Sequence, residues 1–217
     1  MDPSTHLFWI TGRAAGITAL VLASLSVAIG LLMSMRGKKG PDLRITHEAL
    51  SLATLAAIGV HALSLLADPW LKPGVAGLLA PFAISYRPAA VAAGIVAAYG
   101  LGALGLSYYL RGRIGPGRWR RMHRWTALFW VLAVVHGFTS GTDAGQPWFV
   151  ISIGLVVAPA LVLLIGRLAQ SPPSPPDRPS APARRSARER PGTSGWPPWQ
   201  PSQAPVERLA EPALKGR

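Results

Sequence analysis

The chain has 217 residues, of which half are hydrophobic and 14% charged, with a formal charge of +13 and no cysteine. The missing cysteine excludes disulfides, thiolate metal sites and iron–sulfur clusters. The cations lie between long apolar runs, so the charge reads as membrane topology and not as nucleic-acid binding.

After a short polar start, the first span is expected from Phe8 to Met35, interrupted by Arg13. It is too long for a signal-peptide core and has no A-x-A-like cleavage site, so it reads as a retained span. Gly16 and Gly30 lie fourteen residues apart within it. Glycines there would let a planar ligand approach the backbone, although glycine is also common in membrane helices. A short loop carries Arg36, Lys38, Lys39 and Arg44, and the second span follows to about Ala67. The next stretch, to Pro88, holds Pro69, Pro73, Pro81 and Pro88, which argues against a straight helix. Its apolar middle, VAGLLAPFAI, is too short to cross and suits a partly buried or interfacial segment.

The third span, Ala89 to Leu110, is rich in Gly and Ala and ends in Tyr108-Tyr109, an interfacial belt. Six arginines follow between residues 111 and 124. The fourth span runs from His123 to Gly141, SGTDAGQP is a turn, and the fifth span is Trp148 to Leu168, with a kink expected at Pro159. The fold class expected is thus all-α: a bundle of five transmembrane helices within residues 1–168, with a disordered Pro/Arg-rich cytoplasmic tail over 169–217. That tail has no apolar period with which to offset chain entropy. Nineteen of the 22 Lys and Arg residues fall on one side of this arrangement. The positive-inside rule then puts the N-terminus outside and the C-terminus in the cytoplasm of a multi-pass plasma-membrane protein.

The second span, ITHEALSLATLAAIGVHALSLLAD from Ile45 to Asp68, carries His47 and His61. Fourteen steps of about 100° and 1.5 Å put them roughly 21 Å apart and within roughly 40° of one face. The fourth span carries His123 and His136, thirteen apart. One histidine in a span can simply hydrogen-bond a neighbouring helix; four at two matched depths point to function. Both spans run outward from the cytoplasm, so His47 faces His123 near the inner end and His61 faces His136 near the outer end. Each pair can supply both axial ligands of a haem iron, giving two b-type haems about 20 Å apart. Thirteen steps of an ideal helix end about 220° past three full turns. His123 therefore shares a face with His136 only if the start of the fourth span is wound more tightly or is irregular.

Haem propionates need cations at both rims. Arg44 and Arg124 flank the inner ligands, while Arg13 and Arg87 stand at the outer side. Snorkelling or topology would account for any one of them. Arg13 interrupts an apolar run where positive charge is scarce, which favours a ligand role for it. Asp143 near the outer end reads first as a turn residue and second as a proton handler.

The paired spacings, together with LSLLADPW, PFAISYRP, LSYYLRGRIG, WRRMHR and VVHGFTSGTDAG, resemble the ferric-reductase-like transmembrane domain over roughly residues 8–168. That superfamily includes NADPH oxidases, ferric reductases and the haem subunit of the bacterial methionine sulfoxide reductase system; the segments are similar to those of actinobacterial members. The resemblance implies an inner haem shared by the first histidine of each span and an outer haem shared by the second. Members commonly have six spans, against five expected here, and the oxidases add a cytoplasmic flavin and nicotinamide domain for which the tail has no phosphate-binding loop. The resulting expectation is a membrane cytochrome, an oxidoreductase subunit. It would take electrons from a separate cytoplasmic flavoprotein or from quinol to an outer acceptor: ferric iron, oxygen or an extracytoplasmic redox protein. The alternative is a non-redox scaffold or transporter whose histidines serve packing or proton transfer. Against it, the spans lack the embedded carboxylates of a proton relay; Glu48 alone sits near one end.

Overall fold

A computed structural model describes residues 4–36 and 41–170; the expected tail, with Trp196 and Trp199, lies outside the described residues. Its secondary structure is entirely helical: α1 Ser4–Arg36, α2 Arg44–Leu66, α3 Gly74–Leu79, α4 Pro88–Leu106, a 3₁₀ turn Ser107–Leu110, α5 Arg111–Ile114, α6 Pro116–His123, α7 Thr126–Ser140 and α8 Pro147–Ala169. Runs of Ala, Leu, Val and Ile satisfy their own backbone polar groups as helix, the form a bilayer demands. Four segments among the described residues are long and apolar enough to cross it: His6–Arg36, Arg44–Leu66, Pro88–Ile114 and Pro147–Ala169. The expected fourth span is divided instead. α6 stops at His123, Arg124 and Trp125 form a turn, and α7 has 15 residues. The four-proline stretch forms only the short α3 and turns, with Lys72, Phe82 and Arg87 at positive φ. Pro88 opens α4 and Pro147 opens α8, where a missing N–H costs nothing; α8 continues through Pro159.

α1 is the central helix. It packs along α2 on one side and against α7 and α8 on another, while α4 packs on α7. Among the described residues, α2 and α7 share almost no backbone contact, so a slot remains between them, closed on its flanks by α1 and α4. The core lies next to the slot, where Leu20 and Ala23 of α1 meet Trp130 of α7 and Phe149, Ile153, Val157 and Ala160 of α8. The buried positions of α8 recur at intervals of three and four, whereas Ile151, Leu155, Val162 and Ile165 stay open on its other side. An apolar outer face is what lipid requires.

Trp130 is fully buried, and its indole N–H donates to Ser24 Oγ at 3.0 Å; the Ser24 hydroxyl in turn donates to the Leu20 carbonyl. This joins α7 to α1 at mid-depth. Trp130→Ala opens a large cavity and is expected to cost about 3–5 kcal/mol. Ser24→Ala leaves one indole N–H unpaired and is expected to cost about 1–3 kcal/mol. Thermal unfolding of the three proteins in detergent checks the order; equal midpoints for wild type and Trp130→Ala would contradict it.

Candidate paired-histidine site

The slot between α2 and α7 brings the four histidines together in the two expected pairs. His47 and His123 have ring centres 6.2 Å apart with planes at 90°, and His61 and His136 have centres 6.4 Å apart with planes at 73°. The helix break resolves the thirteen-residue spacing. His123 ends α6 and His136 belongs to α7, so the two are not on one continuous helix.

Three of the four rings are held from behind by a backbone carbonyl of a neighbouring helix. His61 Nδ1 lies 2.7 Å from Gly12 O and His136 Nδ1 lies 2.8 Å from Ala90 O. His47 Nδ1 lies 3.0 Å from Ser26 O, with Ser26 Oγ also near at 3.2 Å. His123 makes no such bond among the described hydrogen bonds; Thr126 Oγ1 stands 3.5 Å from its Nδ1. A carbonyl can only accept, so a bonded Nδ1 carries the proton and Nε2 keeps its lone pair. This is the arrangement in which imidazole serves as a metal ligand.

Glycines make these bonds possible. A methyl at Gly16 would lie 3.0 Å from His61 Nδ1, one at Gly30 would lie 3.1 Å from His47 Cε1, and one at Gly94 would lie 2.6 Å from His136 Nδ1. Gly16 and Gly30 were expected to admit a planar ligand to the backbone; here they admit the imidazoles themselves. Gly94 was missed in the sequence because it stood in a span full of Gly and Ala with no period to single it out. Around the outer pair, Gly16, Ala19, Gly94, Ala97, Ala133 and Gly137 leave an open cavity.

The residues present fit a haem. Metal–imidazole bonds of about 2.0–2.1 Å, with about 1.1 Å from nitrogen to ring centre on each side, set two trans imidazoles about 6.3 Å apart. Both pairs match that spacing. Among the described residues no three His, Cys, Asp or Glu side chains converge. Two opposed imidazoles therefore suit a metal whose remaining ligands arrive with a macrocycle. At the outer end of the cavity Ser140 Oγ is buried without a hydrogen-bond partner, an unsatisfied donor facing the place where an anionic edge would lie.

The arginines are placed differently from one another. Arg13 lines the cavity around His61 and His136; its Nε and Nη2 donate to the Asp143 carboxylate, and it stands 5.1 Å from the Trp9 ring and 5.9 Å from the Trp148 ring. Arg87 donates to the Thr139 carbonyl and lies over Tyr86. Arg44 is exposed, 3.7 Å from Asp42, and Arg124 is exposed in the turn after His123. Asp143 does sit in a turn, but its carboxylate is buried against Arg13 from across the molecule, a pairing with no local sequence signal. Glu48 accepts a hydrogen bond from Tyr109 at 2.9 Å.

Residues 12–134, more than half of the chain, match the family described as ferric reductase like transmembrane component. Comparison with curated proteins and with solved structures found no match. The four apolar helices of spanning length and this match make the chain a multi-pass membrane protein.

The tightness of the glycine contacts sets an order of sensitivity. Gly94→Ala is expected to displace His136 and to lower haem content more than Gly16→Ala, whose contact with His61 is 0.4 Å longer (3.0 against 2.6 Å). Haem-to-protein ratios of the purified variants measure this, and full content in Gly94→Ala would contradict it.

Proposed function

We propose that this chain, which belongs to the ferric reductase like transmembrane component family, is a b-type cytochrome with two bis-histidine haems. Membership implies electron transfer across the membrane; the number of haems, their ligands and the partners are our reading. The observation that carries it is the pair of opposed imidazoles, 6.2 and 6.4 Å between centres, with Nδ1 of His47, His61 and His136 against a backbone carbonyl. His61 and His136 hold the outer haem and His47 and His123 the inner one, each through Nε2. When bound, haem supplies one-electron redox chemistry that no side chain of this chain offers.

The protein's own part is ligation, spacing and charge. Helix rise separates the two levels by about 20 Å, so the pairs divide the membrane into short steps. Arg13 and Ser140 serve the anionic edge of the outer haem, with Arg87 on the same side; Arg44 and Arg124 serve the inner one. His123, the turn after it and α7 complete a fifth crossing, and the N-terminus is extracytoplasmic because the arginine-rich segments, α6 among them, stay inside. Electrons come from a separate cytoplasmic flavoprotein or from quinol. They leave to ferric iron, oxygen or an extracytoplasmic redox protein.

Two experiments test this reading. His61→Ala and His136→Ala are each expected to remove the same haem, and His47→Ala and His123→Ala the other, in reduced-minus-oxidised spectra and haem-to-protein ratios. Colourless wild-type membranes would favour the scaffold or transporter reading. Reporter fusions after Arg13 and after Gln170 are expected to report opposite sides; the same side for both would overturn the topology.

A further inference from the structure

Three of the histidines share one mount, and His123 departs from it. Gly12 and Gly16, Ser26 and Gly30, and Ala90 and Gly94 repeat a single device: a carbonyl at position i accepts from the imidazole and a glycine at i+4 makes room. Among the described hydrogen bonds His123 has no carbonyl of this kind, only Thr126 Oγ1 at 3.5 Å. The nearby turn bonds to itself: the Ser107 hydroxyl donates to the Leu104 carbonyl at 2.7 Å. His123 is also the last residue of α6, followed by a break. It lacks the backbone mount of the other three.

Another contact stands in for it. The Trp119 indole lies nearly parallel to the His123 imidazole, with centres 4.9 Å apart and planes at 21°. The two are four residues apart on α6, so they share a face. The indole is itself fixed at both edges. Its N–H donates to Ser107 Oγ at 3.1 Å, and Ser107 is buried. Tyr108 packs against it at 5.8 Å and 62°, with the Arg111 guanidinium 3.9 Å from the centre of the Tyr108 ring. Ser107 thus joins the indole and the Leu104 carbonyl in one hydrogen-bonded group.

Resting on the two-haem reading above, the geometry points to Trp119 as the positioning residue of the inner haem ligand His123, fixing the plane of its imidazole through the stack and through Ser107. Among the described residues no aromatic ring stacks on His61 or His136 in this way; each has carbonyl and glycine instead. Groups that orient a metal-bound histidine typically change metal affinity about 10–100-fold when removed, and the angle between axial imidazole planes is read directly in the g-values of low-spin ferric haem.

The test uses the full chain, purified in detergent, with Trp119→Ala, Trp119→Phe and Ser107→Ala, and the outer haem serves as an internal control of folding. Trp119→Ala is expected to weaken inner-haem retention about 10-fold or to shift the inner g-values and midpoint potential, with the outer signal unchanged. Trp119→Phe keeps a stacking ring and is expected to restore inner-haem content. Ser107→Ala is expected to shift the inner signal without loss of haem. An inner haem unchanged in content, g-values and potential in Trp119→Ala overturns the assignment, as does equal loss of both haems in Trp119→Ala and Trp119→Phe. A wild-type protein with fewer than two haems overturns the underlying reading, and this inference with it.

Discussion

The structure depends on one hydrogen bond used repeatedly: an imidazole Nδ1–H given to a helix carbonyl of a neighbouring element. A helical carbonyl already accepts from the N–H four residues on, yet it keeps a second lone pair. It can therefore hold a histidine without loss of its own ladder. What stands in the way is the side chain at i+4, because Cα–Cβ bonds tilt toward the helix N-terminus and lie over the preceding turn. Glycine at 16, 30 and 94 removes that obstacle. The bond then does two things together: it satisfies a polar atom that lipid would not, and it commits the other ring nitrogen to the slot.

Around this constraint the bundle is arranged asymmetrically. α1 packs tightly on α2, and its other face forms the core with α7 and α8. At the level of His61 and His136 the slot stays open, with Gly16, Ala19, Gly94, Ala97, Ala133 and Gly137 among its lining. Open volume of this kind forfeits dispersion contacts, so a bundle stabilised by its own packing alone would close it. The Arg13–Asp143 pair ties the N-terminal part of α1 to the turn before α8, with Asp143 largely buried. Loss of either partner would strand a charge in a poorly hydrated place.

The break between α6 and α7 is the counterpart of that economy at the other end of the bundle. A continuous helix would carry His123 to the wrong face, since thirteen residues do not complete a whole number of turns. Two residues of turn restore alignment, at the expense of the regular mount that the other three histidines enjoy. Trp119, Ser107 and Tyr108 gather at that point.

Composition and period alone determined a good deal here. The long apolar runs at residues 8–35, 45–67, 89–110 and 148–168 became helices, with ends one to four residues from those expected, since lipid leaves the backbone no alternative. The pairing of His47 with His123 and of His61 with His136 followed from depth, which is residue number multiplied by a fixed rise. Tertiary structure decided what depends on rotation and on distant partners. The register that sets Gly94 under His136, the meeting of Arg13 with Asp143 and the stacking of Trp119 on His123 were not to be read from local sequence. The division of the fourth expected span at Arg124–Trp125 belongs with them. The run after His123 is apolar enough to read as one span, and the turn that divides it accompanies a His123 set opposite His47 on a chain whose α7 is joined by Trp130 to α1.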